Sequence, residues 1–132
     1  MQKRQNAYLV VDAGNTNIKI CQVIGSEIEP MEVISTFDEA LVRVKGQHLV
    51  LTSVLDAATK DKLQEECKSV YEINHEHKLP YDSAYQSMNT VGIDRLCNVA
   101  GVLKYAKNKN GLSIDIGTCI KFDFITADKV YK

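Results

Sequence analysis

"LVVDAGNTNIKI", residues 9–20, sets one acid, one glycine and a run of small polar residues between two apolar stretches. Leu9, Val10 and Val11 form a continuous apolar run that ends at Asp12, the pattern of a buried strand. From Ile18 to Ile24 the apolar residues alternate with others, so the stretch reads as a hairpin carrying an acid at its bend. A glycine two residues after a strand-end acid lets the backbone turn sharply and approach a ligand, and successive N–H groups in such a bend can cradle phosphate oxygens. A second stretch, "LSIDIGTCIKFDF" at residues 112–124, repeats the pattern, with Asp115, Ile116, Gly117 and Thr118 in the places of Asp12, Ala13, Gly14 and Asn15.

Working outward from the first hairpin, Gly25 and Ser26 make the next turn. Residues 28–36 then give a third strand that Pro30 interrupts, which suits a sheet edge. Residues 37–44 predict a short helix ended by Gly46, and "HLVLTSV" at 48–54 predicts a strand parallel to the first. Asp56 is placed to cap a helix over 57–68, and a short strand over 70–73 follows. Residues 74–90 hold few periodic apolar positions and read as a long loop. Leu96, Val99, Ala100, Leu103 and Ala106 recur at helical spacing over 93–107, with Lys104, Lys107 and Lys109 on the polar side. "NKNG" at 108–111 ends that helix, and the second acid-tipped hairpin begins. The order of elements is that of a mixed α/β protein.

The composition narrows the function classes. The chain has 132 residues, 45% hydrophobic and 25% charged, the profile of a globular chain with a core. Sixteen basic against seventeen acidic residues leave a net charge of -1, so no global field favours nucleic acid or a membrane surface as a partner. Cys21, Cys67, Cys97 and Cys119 show no C-x-x-C spacing and sit in apolar runs, which predicts small buried thiols and a reducing, cytoplasmic setting. No export signal or membrane span is expected. His75-Glu76-His77 reads as a solvated turn rather than a metal site.

Asp12 and Asp115, at paired strand ends, are of the type that holds a magnesium ion through water, which in turn bridges and neutralises nucleotide phosphates. Asn15, Thr16 and Thr118 add hydrogen-bonding groups there, and Lys19 a positive charge. The competing reading is an ordinary hairpin turn in which Asp and Asn cap local N–H groups; either turn alone leaves both readings open, and the pair favours phosphate. Neither turn has the G-x-x-x-x-G-K-[ST] or G-x-G-x-x-G spacing of the other common nucleotide loops.

The doubled Asp-x-Gly pattern behind antiparallel strands resembles the superfamily of acetate and sugar kinases, chaperone ATPases and actin. That resemblance implies two ribonuclease H-like domains closing on ATP: a first over 1–110, carrying a phosphate loop and a substrate loop, and a second whose opening hairpin is 111–132. "DAGNTNIK" at 12–19, a tyrosine at 85 before "GIDRLCN" at 92–98, and "DIGTCIKFD" at 115–123 resemble the leading motifs of type III pantothenate kinase over essentially the whole chain.

The family resemblance implies ATP-dependent phosphorylation of pantothenate to 4'-phosphopantothenate, the first step of coenzyme A synthesis, in a cytoplasmic enzyme that is a homodimer at full length. Asp94 is then the catalytic base, and Tyr85, Gly92, Ile93, Asp94 and Arg95 bind pantothenate. Asp12, Gly14, Asn15, Thr16, Asn17, Lys19, Gly117 and Thr118 bind the phosphates of ATP. Asp12 and Asp115 hold Mg2+, and Asp123 a monovalent cation, K+ or NH4+. Without the resemblance, Asp94 reads as a helix cap, Arg95 as a surface ion pair and Asp123 as a strand-end acid.

The family carries proline where Met88 stands, alanine and threonine where Cys119 and Lys121 stand, and a chain about twice as long. Little or no turnover is therefore expected from these 132 residues alone, and the apolar strand faces of the second hairpin are expected to lack partners, leaving residues 112–131 mobile, rearranged or packed on another chain. A non-catalytic accessory or regulatory protein of the same family, or an actin-like or chaperone-like ATP-binding module, are the alternative readings.

Overall fold

The structure, a computed structural model, describes residues 7–117 and 119–132. It is mixed α/β, with three α-helices and two sheets among the described residues, and the chain divides after Ile73 into two compact units.

In the first unit, β1 (Ala7–Ala13) and β2 (Ile18–Ile24) form the expected antiparallel hairpin, with Asp12 opposite Lys19. The predicted third strand is two short pieces, β3 (Glu27–Ile28) and β4 (Glu32–Ile34), both paired with β2. Pro30 lies in the gap, where its missing N–H has no ladder bond to break. Helix α1 (Phe37–Val44) is capped by Thr36, whose Oγ1 accepts from the Glu39 N–H at 3.3 Å, and it buries Ala40 and Val44. Gly46 after it sits at φ 69°, the left-handed region that a side chain disfavours.

Strand β5 (His48–Ser53) runs parallel to β1 and brings Thr52 beside Asp12. Asp56 caps α2 (Ala57–Glu66) by accepting from the Thr59 N–H at 2.9 Å, and β6 (Ser69–Glu72) closes the sheet in the order β3-β2-β1-β5-β6. Alternation along the central strands puts Leu9, Val11, Ile20, Leu49 and Leu51 into one core with Val44 and Leu63 of the helices.

The second unit begins with the segment read as loop. It is an ordered connection that also holds short regular pieces: β7 (Asp82–Ser83) and one 3-10 turn (Met88–Thr90) lie within it, and His75 Nε2 donates to the Val91 carbonyl at 2.8 Å. The His-Glu-His run is a largely exposed turn, as expected, with His75 also tied to Val91, and no metal-ligand cluster of three or more acidic, His or Cys residues occurs among the described residues. Helix α3 (Ile93–Ala106) follows, then β8 (Gly111–Ile116), β9 (Ile120–Ile125) and β10 (Val130–Tyr131), in a sheet ordered β7-β10-β9-β8. Gly111 is required by close approach, since a Cβ there would strike the Val102 side chain of α3.

Residues 74–110, read with the first domain from sequence, fall into the compact unit of the second hairpin, because α3 packs on β8 and β9 and β7 pairs with β10. The core of this unit is Tyr81, Val91, Leu96, Val99, Ile125 and Tyr131.

One face of the second hairpin is apolar and exposed, as expected of strands without partners. Leu112 lies opposite Phe124, Ile114 opposite Phe122, and Ile116 opposite Ile120. By the two-residue period, Asp115, Lys121 and Asp123 take the other face. The thiols depart from expectation: none is fully buried, and Cys119 is exposed beside the second acid-tipped bend. Among the described residues no helix is long and apolar enough to cross a membrane.

Tyr81 is the buried polar anchor of this core, donating to the Leu96 carbonyl at 3.0 Å. Burial pushes its hydroxyl up from 10.0 to about 12. A raised folded value means stability that is complete below the ordinary tyrosine range and lost as pH climbs from 10 through about 12. Thermal melts across that window are expected to show the advantage of the native chain over Tyr81→Phe shrinking with pH; an advantage constant to the top of the window would refute the assignment.

Candidate active site

Asp12 ends β1, and its Oδ1 accepts from Thr52 Oγ1 at 2.8 Å. Thr52, itself buried, therefore orients the carboxylate from the parallel neighbour. It was not a site candidate, although the "TSV" at the end of the strand is the signal that could have found it. In the bend, the Gly14 N–H is spent on the Asn17 carbonyl at 3.1 Å, so it closes the turn rather than facing outward. Gly14, Asn15, Thr16 and Asn17 are all exposed, and Lys19 is half-buried across the ladder from Asp12.

The second bend is one residue shorter than the first. The Gly117 N–H donates to the Cys119 carbonyl at 3.1 Å, and Thr118 lies outside the described residues.

The G-x-D-R motif sits at the start of α3. Gly92 is the N-cap, and a Cβ on it would collide with Asp94 Oδ1, so the glycine leaves room for that carboxylate to fold back over the helix start. Asp94 Oδ2 accepts from Lys121 Nζ at 2.6 Å, and the same ammonium lies 3.2 Å from Asp115 Oδ2. The motifs that sequence separates thus meet in one cluster: the acid of G-x-D-R, the acid of the second Asp-x-Gly bend, and a lysine between them. Burial pushes the Asp94 carboxyl up, but the Lys121 hydrogen bond, the Arg95 backbone N–H and both positive charges outweigh it and hold the group below the ordinary aspartate range. Lys121 is raised, chiefly by its bond to Asp94.

Arg95 points elsewhere. Its Nε and Nη2 donate to Asp123 Oδ1 at 2.8 and 2.5 Å, and the Tyr131 hydroxyl donates to the same oxygen at 2.5 Å. The Asp123 side chain is fully enclosed, while that of Arg95 is 27% exposed, so this is a buried pair with its cation reaching toward solvent. The bond to Asp123 raises Arg95, and burial followed by that same acceptor raises Tyr131. Tyr85 stacks on Tyr131 with ring centroids 4.8 Å apart. Tyr85, Arg95, Asp123 and Tyr131 therefore form a second cluster, and Tyr131 is a member that sequence reasoning missed. Ile93 packs against the core beside it.

The profile of the type III pantothenate kinase family matches residues 8–132. A type III pantothenate kinase of Flavobacterium johnsoniae is 34% identical over 131 residues, covering 93% of this chain and 54% of that protein. One of Azobacteroides pseudotrichonymphae is 31% identical, covering 95% of this chain and 54% of that protein. Among solved structures, a conserved protein of the Baf family of transcriptional activators from Campylobacter jejuni aligns with a TM-score of 0.60 at 20% identity, over 93% of this chain and 50% of that one, which is a likeness of fold. The chain spans about half the length of the curated relatives it matches. With the family profile matched from β1 to the last residue, the chain belongs to the type III pantothenate kinase family.

Proposed function

We propose that this chain carries the substrate-activating half of a pantothenate kinase, an enzyme that moves the γ-phosphoryl group of ATP to the primary hydroxyl of pantothenate. The observation that carries the reading is the joining of Asp94 to Asp115 through Lys121, which puts a base for an alcohol beside an acid-tipped phosphate bend. In the reaction the hydroxyl oxygen bonds to the γ-phosphorus, the bond from that phosphorus to the bridging oxygen of ADP breaks, and the hydroxyl proton passes to the Asp94 carboxylate. A loose transition state moves the proton late, so a carboxylate of low basicity suffices when it is well placed.

Tyr85, Gly92, Ile93 and the outward part of Arg95 bind pantothenate, the planar guanidinium suiting its carboxylate. Gly14, Asn15, Thr16, Asn17, Lys19 and Gly117 are assigned to the phosphates of ATP, as is Thr118 by its place in the sequence. The strand order of the first sheet supports a ribonuclease H-like first unit, with the second acid-tipped hairpin opening a second domain of the same kind.

A magnesium ion fits Asp12, a strand-end carboxylate with one oxygen held by Thr52 and the other a hard donor; there it would neutralise phosphate charge through bound water. Asp115 fits less well, because Lys121 already lies on it. Asp123 does not fit a monovalent cation. Its Oδ2 has no hydrogen-bond partner among the described residues, but the carboxylate is enclosed and the Arg95 charge beside it opposes a second cation. No step of the reaction is assigned to such an ion.

The test is calorimetry of the chain with pantothenate and with Mg·ATP, followed by assay for 4'-phosphopantothenate in a chain of the relatives' full length. Binding of both ligands and formation of product are expected. An actin-like or chaperone-like module binds ATP alone, and a non-catalytic family member, a reading favoured by the engagement of Arg95 with Asp123, forms no product at any length. Homodimerisation at full length and a cytoplasmic setting go with the kinase reading.

A further inference from the structure

Lys121 occupies the place where the family resemblance puts a threonine, and its surroundings give it work. On β9 it lies directly opposite Asp115 of β8, and alternation turns it to the side of α3, where Asp94 begins the helix. Its Nζ is 2.6 Å from Asp94 Oδ2 and 3.2 Å from Asp115 Oδ2. The two carboxylates therefore stand within roughly 6 Å of each other, a range in which like charges repel unless a cation lies between them. Neither anion belongs to the element of the other, so the ammonium is also the tie between helix start and phosphate bend.

We infer that Lys121 is a resident cation of the reaction centre: it holds the Asp94 carboxylate in place and cancels one of two negative charges, so that nucleotide phosphates meet a site of charge -1 instead of -2. It is a positioning and charge-balancing residue that acts through Asp94 and Asp115. The inference rests on the kinase reading and deepens it. It also accounts for the poor fit of Asp115 to a metal, since the lysine takes the position between the two oxygens that a divalent ion would take.

Three variants separate charge from shape. Lys121→Met keeps the stem and removes the charge, Lys121→Arg keeps the charge, and Lys121→Met with Asp115→Asn removes one charge of each sign, which restores -1. Calorimetric titration of the 132-residue chain with ATP in chelator, ATP with magnesium, and pantothenate reads each of them. Metal-free ATP is expected to bind Lys121→Met about tenfold more weakly than the native chain, because phosphate oxygens then face two uncompensated carboxylates. Saturating magnesium is expected to close that gap to about threefold or less, since a divalent ion accepts the same pair of hard oxygens. Lys121→Arg and the double variant are expected to recover metal-free binding.

A purely structural lysine would show the opposite pattern. The double variant, further from the native contacts, would then be no better than Lys121→Met, and that result overturns the inference, as does unchanged metal-free binding in Lys121→Met. Should Lys121→Met fail to fold, the double variant still decides: native-like metal-free ATP binding supports the charge role, and weakened binding refutes it. A native chain that binds neither ATP nor pantothenate sinks the kinase reading and this inference together, whereas a native chain that binds both and is indifferent to the charge at 121 sinks this inference alone.

Discussion

Asp94→Asn, in a chain of the relatives' full length, is expected to lower kcat for pantothenate phosphorylation by about 10²- to 10⁴-fold, the range that a positioned acid–base group contributes. KM for ATP should change little, because the amide keeps the shape of the side chain and still accepts a hydrogen bond from Lys121 through its oxygen. What asparagine loses is the ability to take the hydroxyl proton. The placement of Asp94 depends on its neighbours in sequence as well as on Lys121: the missing side chain at Gly92 is what admits its Oδ1 over the helix start. Gly92→Ala should therefore reproduce part of the loss by displacing the carboxylate while leaving its chemistry unchanged. Steady-state kinetics decide the point, and an Asp94→Asn enzyme with kcat within about threefold of native would remove Asp94 from the proton-accepting role.

Asp123→Asn should be the most damaging single change to stability in the second unit. The native carboxylate accepts from two guanidinium nitrogens and one phenol in an enclosed position. Removing its charge leaves the Arg95 cation without an anion, and breaking one side of a buried pair typically costs about 3–5 kcal/mol. Because Arg95 keeps some access to water, the low end, about 3 kcal/mol, is the better expectation, which corresponds to a fall in Tm of about 10 °C or more. Adding Arg95→Met to Asp123→Asn removes the stranded cation and should recover more than half of the loss, though it should also abolish pantothenate binding. Calorimetric melts of the native chain, the single variant and the double variant test this. If the double variant is no more stable than Asp123→Asn alone, the penalty comes from lost packing or from the Tyr131 hydrogen bond and not from an unpaired charge.

Much of the fold was legible in the chain because the signals for it are local. The run ending at Asp12, the alternation from Ile18 to Ile24, the capping acid at Asp56 and the helical spacing from Leu96 to Ala106 each depend on residues a few positions apart, and each element formed where expected. The misses have the opposite character. The segment 74–90 looked like loop because β7 has two residues and no pattern of its own; it is a strand only because β10, far along the chain, lies beside it. The same pairing, with the packing of α3 on the second hairpin, moves that whole segment into the compact unit of the hairpin.

The candidate site divides along the same line. Spacing alone marked Asp12, Gly14, Asp115 and Gly117, and the family resemblance of the G-x-D-R motif added Asp94 and Arg95, since a motif is a statement about neighbours on one strand end or helix start. It could not say that Lys121 reaches both Asp94 and Asp115, or that Arg95 turns to Asp123 and Tyr131. Asp94 and Lys121 lie 27 residues apart and Arg95 and Asp123 28, each pair on a helix and a strand, and which face of β9 meets α3 is set by the burial of Ile125 and Val99, not by the residues that carry the charge. Short-range sterics and periodicity write secondary structure and turns into the sequence directly. Charge pairing at the site is decided only when distant apolar faces have packed, because Coulomb attraction at a half-exposed position is too weak to choose the fold and acts instead on whatever geometry the core supplies.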